Sequence, residues 1–275
     1  MSTHIFELPE GRIAYEDRGP ADGPPVVLVP GLGDLRAEYR LLAPRLNAAG
    51  YRTLAMDLRG HGGSSAQWAD YSASAIGRDV VALLRSLEAS PAFLVGTSMG
   101  AGAVAWAAAE APELVRGLVL IGPFVRDTRP MGALFRALLR LLFARPWGPA
   151  AWARYYATLY PTARPEDFEA YAAGLRANLR EPGRLEAVLE MMLASKADVE
   201  ARLGGVRAPA LVVMGSRDPD FGQGGPEAEA RLVAERLGGS VRMIDGAGHY
   251  PHVEFPQETG AAIEAFLGSG SPVGR

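Results

Sequence analysis

The stretch Phe93-Leu94-Val95-Gly96-Thr97-Ser98-Met99-Gly100-Ala101-Gly102 decides how the rest of the chain is read. Phe93 to Val95 is a short apolar run of the kind that forms a strand buried on both faces, and Ala101 to Glu110 is alanine-rich and reads as helix. Between them lies Gly-Thr-Ser-Met-Gly, a Gly-x-Ser-x-Gly turn in the strand-to-helix setting of a nucleophile elbow. A serine on so tight a turn takes a strained backbone, and glycine at 96 and 100 leaves room where a side chain would strike the neighbouring strand or helix. A helix beginning at Met99 aims its unpaired amides and the positive end of its dipole at any negative charge that forms beside Ser98.

Working outward, the 275 residues are enough for one large domain or a domain with an insertion. Apolar residues make up 48% and charged residues 21%, the profile of a globular protein. A formal net charge of -3 gives no general attraction to nucleic acid or to an acidic membrane surface, so neither is expected as a partner. Lys196 is the only lysine among 28 basic residues, which reads as a composition bias. The absence of cysteine excludes disulfides, cysteine nucleophiles and thiolate metal sites and is compatible with a reducing cytoplasm. The first residues lack the basic head and apolar stretch of a signal peptide, and no run approaches the roughly 18 apolar residues of a membrane span. A soluble cytoplasmic protein is expected.

Upstream, His4 to Leu8 and Arg12 to Arg18 read as an antiparallel hairpin turning at Pro9-Glu10-Gly11. Val26 to Val29 is a buried strand running into Pro30-Gly31-Leu32-Gly33-Asp34, followed by a helix from Ala37 to Ala49 that Gly50 ends. Thr53 to Met56 reads as the next strand, and Ala73 to Ser90 as an amphipathic helix. Downstream, Leu118 to Ile121 is a strand stopped by Gly122-Pro123. From Asp127 to Gly205 no strand-like run occurs, and helices are expected at Met131 to Phe143, Ala150 to Tyr160, Pro165 to Ala177 and Arg184 to Ala194. Alternation resumes with a strand at Ala210 to Met214, a helix at Pro226 to Leu237, a strand at Val241 to Ile244 and a helix at Thr259 to Leu267. The chain from Gly268 onward reads as a mobile tail. The expected architecture is α/β, a mostly parallel sheet covered by helices on both faces, with residues 1–126 and 206–275 as core and 127–205 as a helical cap over the C-terminal edge of the sheet.

A serine hydroxyl is a weak nucleophile at neutral pH and needs an imidazole to take its proton and an acid to orient that imidazole. Of the four histidines, His249 stands in the glycine-rich loop Asp245-Gly246-Ala247-Gly248-His249 directly after a strand, where it can reach across to the elbow. The acid should likewise follow a strand, and Met214-Gly215-Ser216-Arg217-Asp218-Pro219-Asp220 supplies Asp218, with Asp220 in reserve. The order Ser98, Asp218, His249 is that of an α/β-hydrolase triad.

With these residues the chain resembles the α/β-hydrolase superfamily along nearly its whole length. The matching landmarks are Gly31-Leu32-Gly33, Asp57-x-Arg59-Gly60-His61-Gly62, Gly96-x-Ser98-x-Gly100, Gly215-x-x-Asp218 and Gly246-x-Gly248-His249. The resemblance implies that the backbone N–H groups of Leu32 and Met99 form the oxyanion hole, where one donor is worth about 3 kcal/mol in the transition state. It implies a serine esterase or lactonase acting on a small molecule, with no cofactor and no metal. Family members commonly carry histidine where this chain has Pro30, which removes one brace of the oxyanion loop. Members with a carboxylate at the elbow, the haloalkane dehalogenases and epoxide hydrolases, differ from this chain at Ser98. The same triad serves hydrolysis of a carbon–carbon bond, acyl transfer and peracid formation, and a receptor can keep it without turnover.

Other residues compete for these roles. His61 reads as support for the loop after its strand, and His252 as a surface or loop-shaping residue; a zinc site from His249 and His252 lacks a third ligand at suitable spacing. Asp127 follows the strand ending at Ile121, an alternative place for the acid, and Asp34 reads as a loop-capping carboxylate. Gly31-x-Gly33 lacks the third glycine of a dinucleotide fingerprint. The segment 127–205 holds nine of the chain's 22 aromatic residues, Phe135, Phe143, Trp147, Trp152, Tyr155, Tyr156, Tyr160, Phe168 and Tyr171, enough to line an acyl or aryl pocket or to pack short helices. Met191 and Met192 are candidates for the pocket or for gap-filling, while Arg136, Arg140 and Arg154 are assigned to a solvated face.

Overall fold

The computed structural model of the protein describes residues 3–86, 91–127, 131–221 and 225–269. Eight strands form one sheet in the order β1-β2-β4-β3-β5-β6-β7-β8. Strands β1 (Thr3–Leu8) and β2 (Gly11–Arg18) are the expected hairpin. β2 runs antiparallel to β4 (Arg52–Met56), and from β4 onward β3 (Pro25–Val29), β5 (Ala92–Thr97), β6 (Val115–Ile121), β7 (Ala210–Gly215) and β8 (Ser240–Ile244) are parallel. The loops after β3, β5, β6, β7 and β8 therefore leave from one edge of the sheet, the edge where ligands bind in open α/β folds.

Alternation along the strands explains why both faces are covered. Val27 and Val29 of β3 join Leu94 of β5 and Leu118 and Leu120 of β6 on one face, while Val26, Leu28, Val95, Val119 and Ile121 occupy the other. The first face packs on α2 (Ala73–Ser86), α3 (Met99–Glu110) and α9 (Gly225–Leu237), through Ile76, Val80, Val104 and Val233. The second packs on α1 (Leu42–Ala48) and α11 (Pro256–Ser269), through Leu42, Leu46, Ile263 and Leu267. Helix α3 is buried along nearly its full length, and its run of glycine and alanine lets it lie close to the sheet and to α2, where Gly77 leaves space for Trp106. Between β6 and β7 the described residues run through α4 (Ala133–Leu142), α5 (Gly148–Thr158), α6 (Phe168–Arg180), α7 (Arg184–Leu193) and α8 (Ala197–Arg202). A single turn, α10 (Pro251–Glu254), comes after the loop that leaves β8.

Three expectations are corrected. The helix expected over 37–49 is broken into a 3-10 turn, Arg36–Arg40, and α1. Pro44 is the reason: in a continuous helix it would cost a hydrogen bond and clash with residue 40, whereas in the first turn of α1 neither penalty arises. Helix α8 is additional; the Ser195 hydroxyl accepts the Ala197 N–H at 3.2 Å and the Trp106 indole donates to Asp198 at 2.9 Å, contacts that short-range periodicity does not reveal. Gly268 and Ser269 belong to α11 instead of a tail. The expected end of α2 at 87–90 and the tail from 270 lie outside the described residues.

Candidate active site

Ser98 joins β5 to α3 at φ 54, ψ -118, and among the described residues it is the one non-glycine with positive φ. Such a conformation costs about 1–3 kcal/mol and persists because the surroundings over-determine it. The Ser98 N–H donates to the Ile121 carbonyl at 2.8 Å, and the Ser98 carbonyl accepts from Ala101 at 3.1 Å and from Phe124 at 3.2 Å. A Cβ at Gly96 would run into the backbone of Gly100, and one at Gly100 into the carbonyls of Val29 and Pro30. Both glycines are therefore required by packing, as the turn geometry predicts.

His249 lies after β8, its N–H donating to the Leu159 carbonyl at 3.0 Å. Its Nδ1 lies 2.7 Å from Oδ2 of Asp218 and 3.9 Å from Oδ2 of Asp220. Asp218 in turn accepts the Asp220 N–H at 3.0 Å, and Asp220 accepts the Tyr155 hydroxyl at 2.8–2.9 Å. Of the two carboxylates, Asp218 is the one within hydrogen-bond range of His249. Burial by itself would lower the affinity of His249 for a proton; the carboxylates of Asp218 and Asp220 more than reverse this and raise its pKa to about 9. Asp218, Asp220 and His249 also bring one ligand atom each within 4.8 Å of one another. The hydrogen bond between Nδ1 and Asp218 fixes the orientation of the imidazole.

The remaining candidates divide cleanly. His61 is buried, with Nε2 accepting the Gly33 N–H at 3.1 Å and Nδ1 3.0 Å from the Arg59 carbonyl, and burial lowers its pKa to about 4. With both ring nitrogens engaged, it braces the loop that carries Leu32. His252 is buried, not at the surface, with Nε2 3.0 Å from Oε1 of Glu38, whose Oε2 accepts the Gly31 N–H at 2.7 Å. Glu38 and His61 together supply the bracing that Pro30 cannot. Asp34 accepts the Leu35 N–H at 3.0 Å and the Tyr171 hydroxyl, as befits a loop carboxylate; its burial, together with Glu38, raises its pKa to about 7. Asp127 is not among the carboxylates within 4 Å of His249 and holds the Ser195 hydroxyl at 2.6 Å and the Lys196 N–H at 3.1–3.2 Å.

Ser98, Met99, Leu32, His249 and Asp220 all line one cavity of about 520 Å³. Among the described residues, neither the Leu32 nor the Met99 N–H has an acceptor in the protein. From the 127–205 segment the cavity takes Phe135, Phe143, Trp152 and Tyr155, with Met191 and Met192. The other aromatics separate from it: Tyr156, Tyr160, Phe168 and Tyr171 pack with Tyr250 in a buried cluster, and Trp147 is exposed. Arg140 and Arg154 are exposed, while Arg136 is half-buried and donates to the Leu193 carbonyl at 3.1 Å. Sequence reasoning missed Glu38, which has no motif to mark it. It also missed the docking of Trp152 against Gly33, where a Cβ would meet the indole ring.

Residues 24–256 match the family described as alpha/beta hydrolase fold. The chain is 27% identical over 256 residues to 3-oxoadipate enol-lactonase 2 of Acinetobacter baylyi, covering 92% of each protein. It is 30% identical over 257 residues to a haloalkane dehalogenase of Mycobacterium marinum, covering 90% of this chain and 82% of that one. Among solved structures, a bromoperoxidase from Bacillus anthracis superposes with a TM-score of 0.83 at 25% identity, over 97% of this chain and 100% of that one. With sheet order, elbow and family match in agreement, the chain belongs to the alpha/beta hydrolase fold family and is a hydrolase-fold enzyme.

Proposed function

We propose that the protein is a serine hydrolase that cleaves a small or medium carboxylic ester or lactone through an acyl-enzyme. The observation that carries the reading is the 2.7 Å contact between His249 Nδ1 and Asp218 on the wall of the cavity that Ser98 also lines. In this reaction Ser98 Oγ attacks the carbonyl carbon as His249 Nε2 takes its proton, and the amides of Leu32 and Met99 receive the oxyanion. The C–O bond to the leaving alcohol breaks as His249 returns the proton to it. Water then attacks the acyl carbon, gives a proton to His249, and releases the acid as Ser98 regains its hydrogen. Residues 127–205 serve as the cap that supplies the apolar wall, and the enzyme acts in the cytoplasm on a small molecule.

The lactone half of the proposal has support from the named enol-lactonase relative. The haloalkane dehalogenase relative offers a different covalent chemistry, which the serine at position 98 disfavours. A screen of p-nitrophenyl esters, lactones and β-diketones, run with the unmodified protein and with Ser98→Ala, tests the proposal. Ester or lactone turnover lost by at least about a thousandfold in Ser98→Ala is expected. Turnover of diketones alone, or esterase activity that survives the substitution, contradicts it.

A further inference from the structure

Lys196, the chain's only lysine, stands on the wall of the same cavity. It precedes α8 in a turn that Asp127 fixes by accepting the Lys196 N–H and the Ser195 hydroxyl. The carboxylate therefore holds the backbone of this turn, while the ammonium lies 3.9 Å from Asp127 Oδ1, beyond hydrogen-bond range. Among the described residues Nζ has no hydrogen-bond acceptor, although its side chain is only 14% exposed. Arg126, the one arginine among the described residues of the wall, differs in being clamped by Glu229 through bonds of 2.9 and 2.5 Å. The cavity wall that Lys196 shares also carries the apolar side chains of Met131, Phe135, Leu139 and Met192, and burial lowers the lysine's pKa against the opposing charge of Asp127. An ammonium paired with Asp127 at 3.9 Å but without a hydrogen-bond acceptor gains one when an anion enters the cavity.

We propose that Lys196 is the anchor for a carboxylate on the substrate, so that the ester or lactone cleaved at Ser98 carries a second, free carboxylate. This rests on the hydrolase reading of Ser98 but is tested separately from it. In the first arm, mono-p-nitrophenyl glutarate and p-nitrophenyl pentanoate, a charged and a neutral ester of similar length, are compared in the unmodified protein, Lys196→Met and Lys196→Arg. The ratio of kcat/KM for the charged over the neutral ester falls roughly tenfold to hundredfold in Lys196→Met and is largely kept in Lys196→Arg, as expected for a charge-assisted hydrogen bond. In the second arm, calorimetry tracks glutarate binding to Ser98→Ala, with and without Lys196→Met; binding that disappears with the lysine is expected. A ratio unaltered by Lys196→Met overturns the proposal, as does glutarate that fails to bind Ser98→Ala or binds equally without the lysine. If no ester is turned over at all, the hydrolase reading fails while the calorimetry still decides the role of Lys196.

Discussion

At Ser98 the backbone is held where few non-glycine residues go, and in the proposed mechanism its hydroxyl gains reactivity from His249. The pKa of His249, raised to about 9 by Asp218 and Asp220 against the opposing effect of burial, keeps the imidazole protonated at neutral pH in the resting enzyme. Only the neutral form can accept the serine proton, so kcat/KM for a neutral ester is expected to climb with pH from about 6 toward about 9. Asp218→Asn removes the carboxylate that favours the imidazolium. The rising limb then moves to lower pH while the rate falls by about 10³–10⁴, and a pH–rate profile of both proteins checks this. His61 gives the opposite case. Its neutral ring holds the Gly33 N–H, so His61→Ala is expected to lower kcat by roughly tenfold or more while the far-UV spectrum stays native, because the loop bearing Leu32 loses a brace. The elbow at Ser98 and the meeting of Asp218 with His249 were legible because each residue sits in a short motif just after a strand. Glu38 and His252 were not, because their partnership depends on a 3-10 turn and the short helix α10, far apart in sequence, meeting in space, and His252 accordingly read as a surface or loop residue although it is buried.

Among the elements, the strands were readable because parallel burial demands continuous apolar runs such as Val26 to Val29 and Leu118 to Ile121. Helices of the 127–205 segment were less so at their ends, where packing between short pieces decides. Helix α4 is the extreme: none of its residues is buried, and Leu134 is 86% exposed, while Phe135, Leu139 and Leu142 face the cavity. With so little packing behind it, α4 is expected to exchange its amide hydrogens far faster than α2 or α3, which hydrogen-exchange mass spectrometry resolves by peptide. Protection of α4 equal to that of α3 would contradict this. At the junction of β5 and α3, Gly100→Ala is expected to destabilise the fold by at least about 2 kcal/mol in chemical denaturation, because its Cβ meets the carbonyls of Val29 and Pro30.

For the whole molecule, strand and helix alternation specified the doubly covered parallel sheet, and the sheet specified the edge on which the site lies. How α4, α5 and α7, helices without strong mutual motifs, come to line the cavity at that edge is something no local pattern encodes. Titration ties the site to global stability. Asp34, ordinarily ionised above about pH 4, has its pKa raised to about 7 by burial and by Glu38, so the folded state favours its protonated form. That contribution is present at low pH and is lost as pH rises through about 7. Asp34→Asn removes the loss, and its melting temperature is expected to gain on that of the unmodified protein between about pH 4 and 7 and to keep that gain above it; a gap that stays constant from about pH 4 to 7 would contradict the assignment. His61 acts at the other end: its pKa, lowered to about 4 by burial, costs stability as pH falls from about 6.5 toward 4.

The central claim, that Ser98 is the nucleophile and His249 its base, is tested most directly by treating the protein with a fluorophosphonate and locating the adduct by peptide mass spectrometry. One adduct is predicted, on Ser98, absent in Ser98→Ala and slowed at least about a hundredfold in His249→Ala. Labelling on another residue, or labelling of Ser98 that proceeds unchanged without His249, would contradict the account.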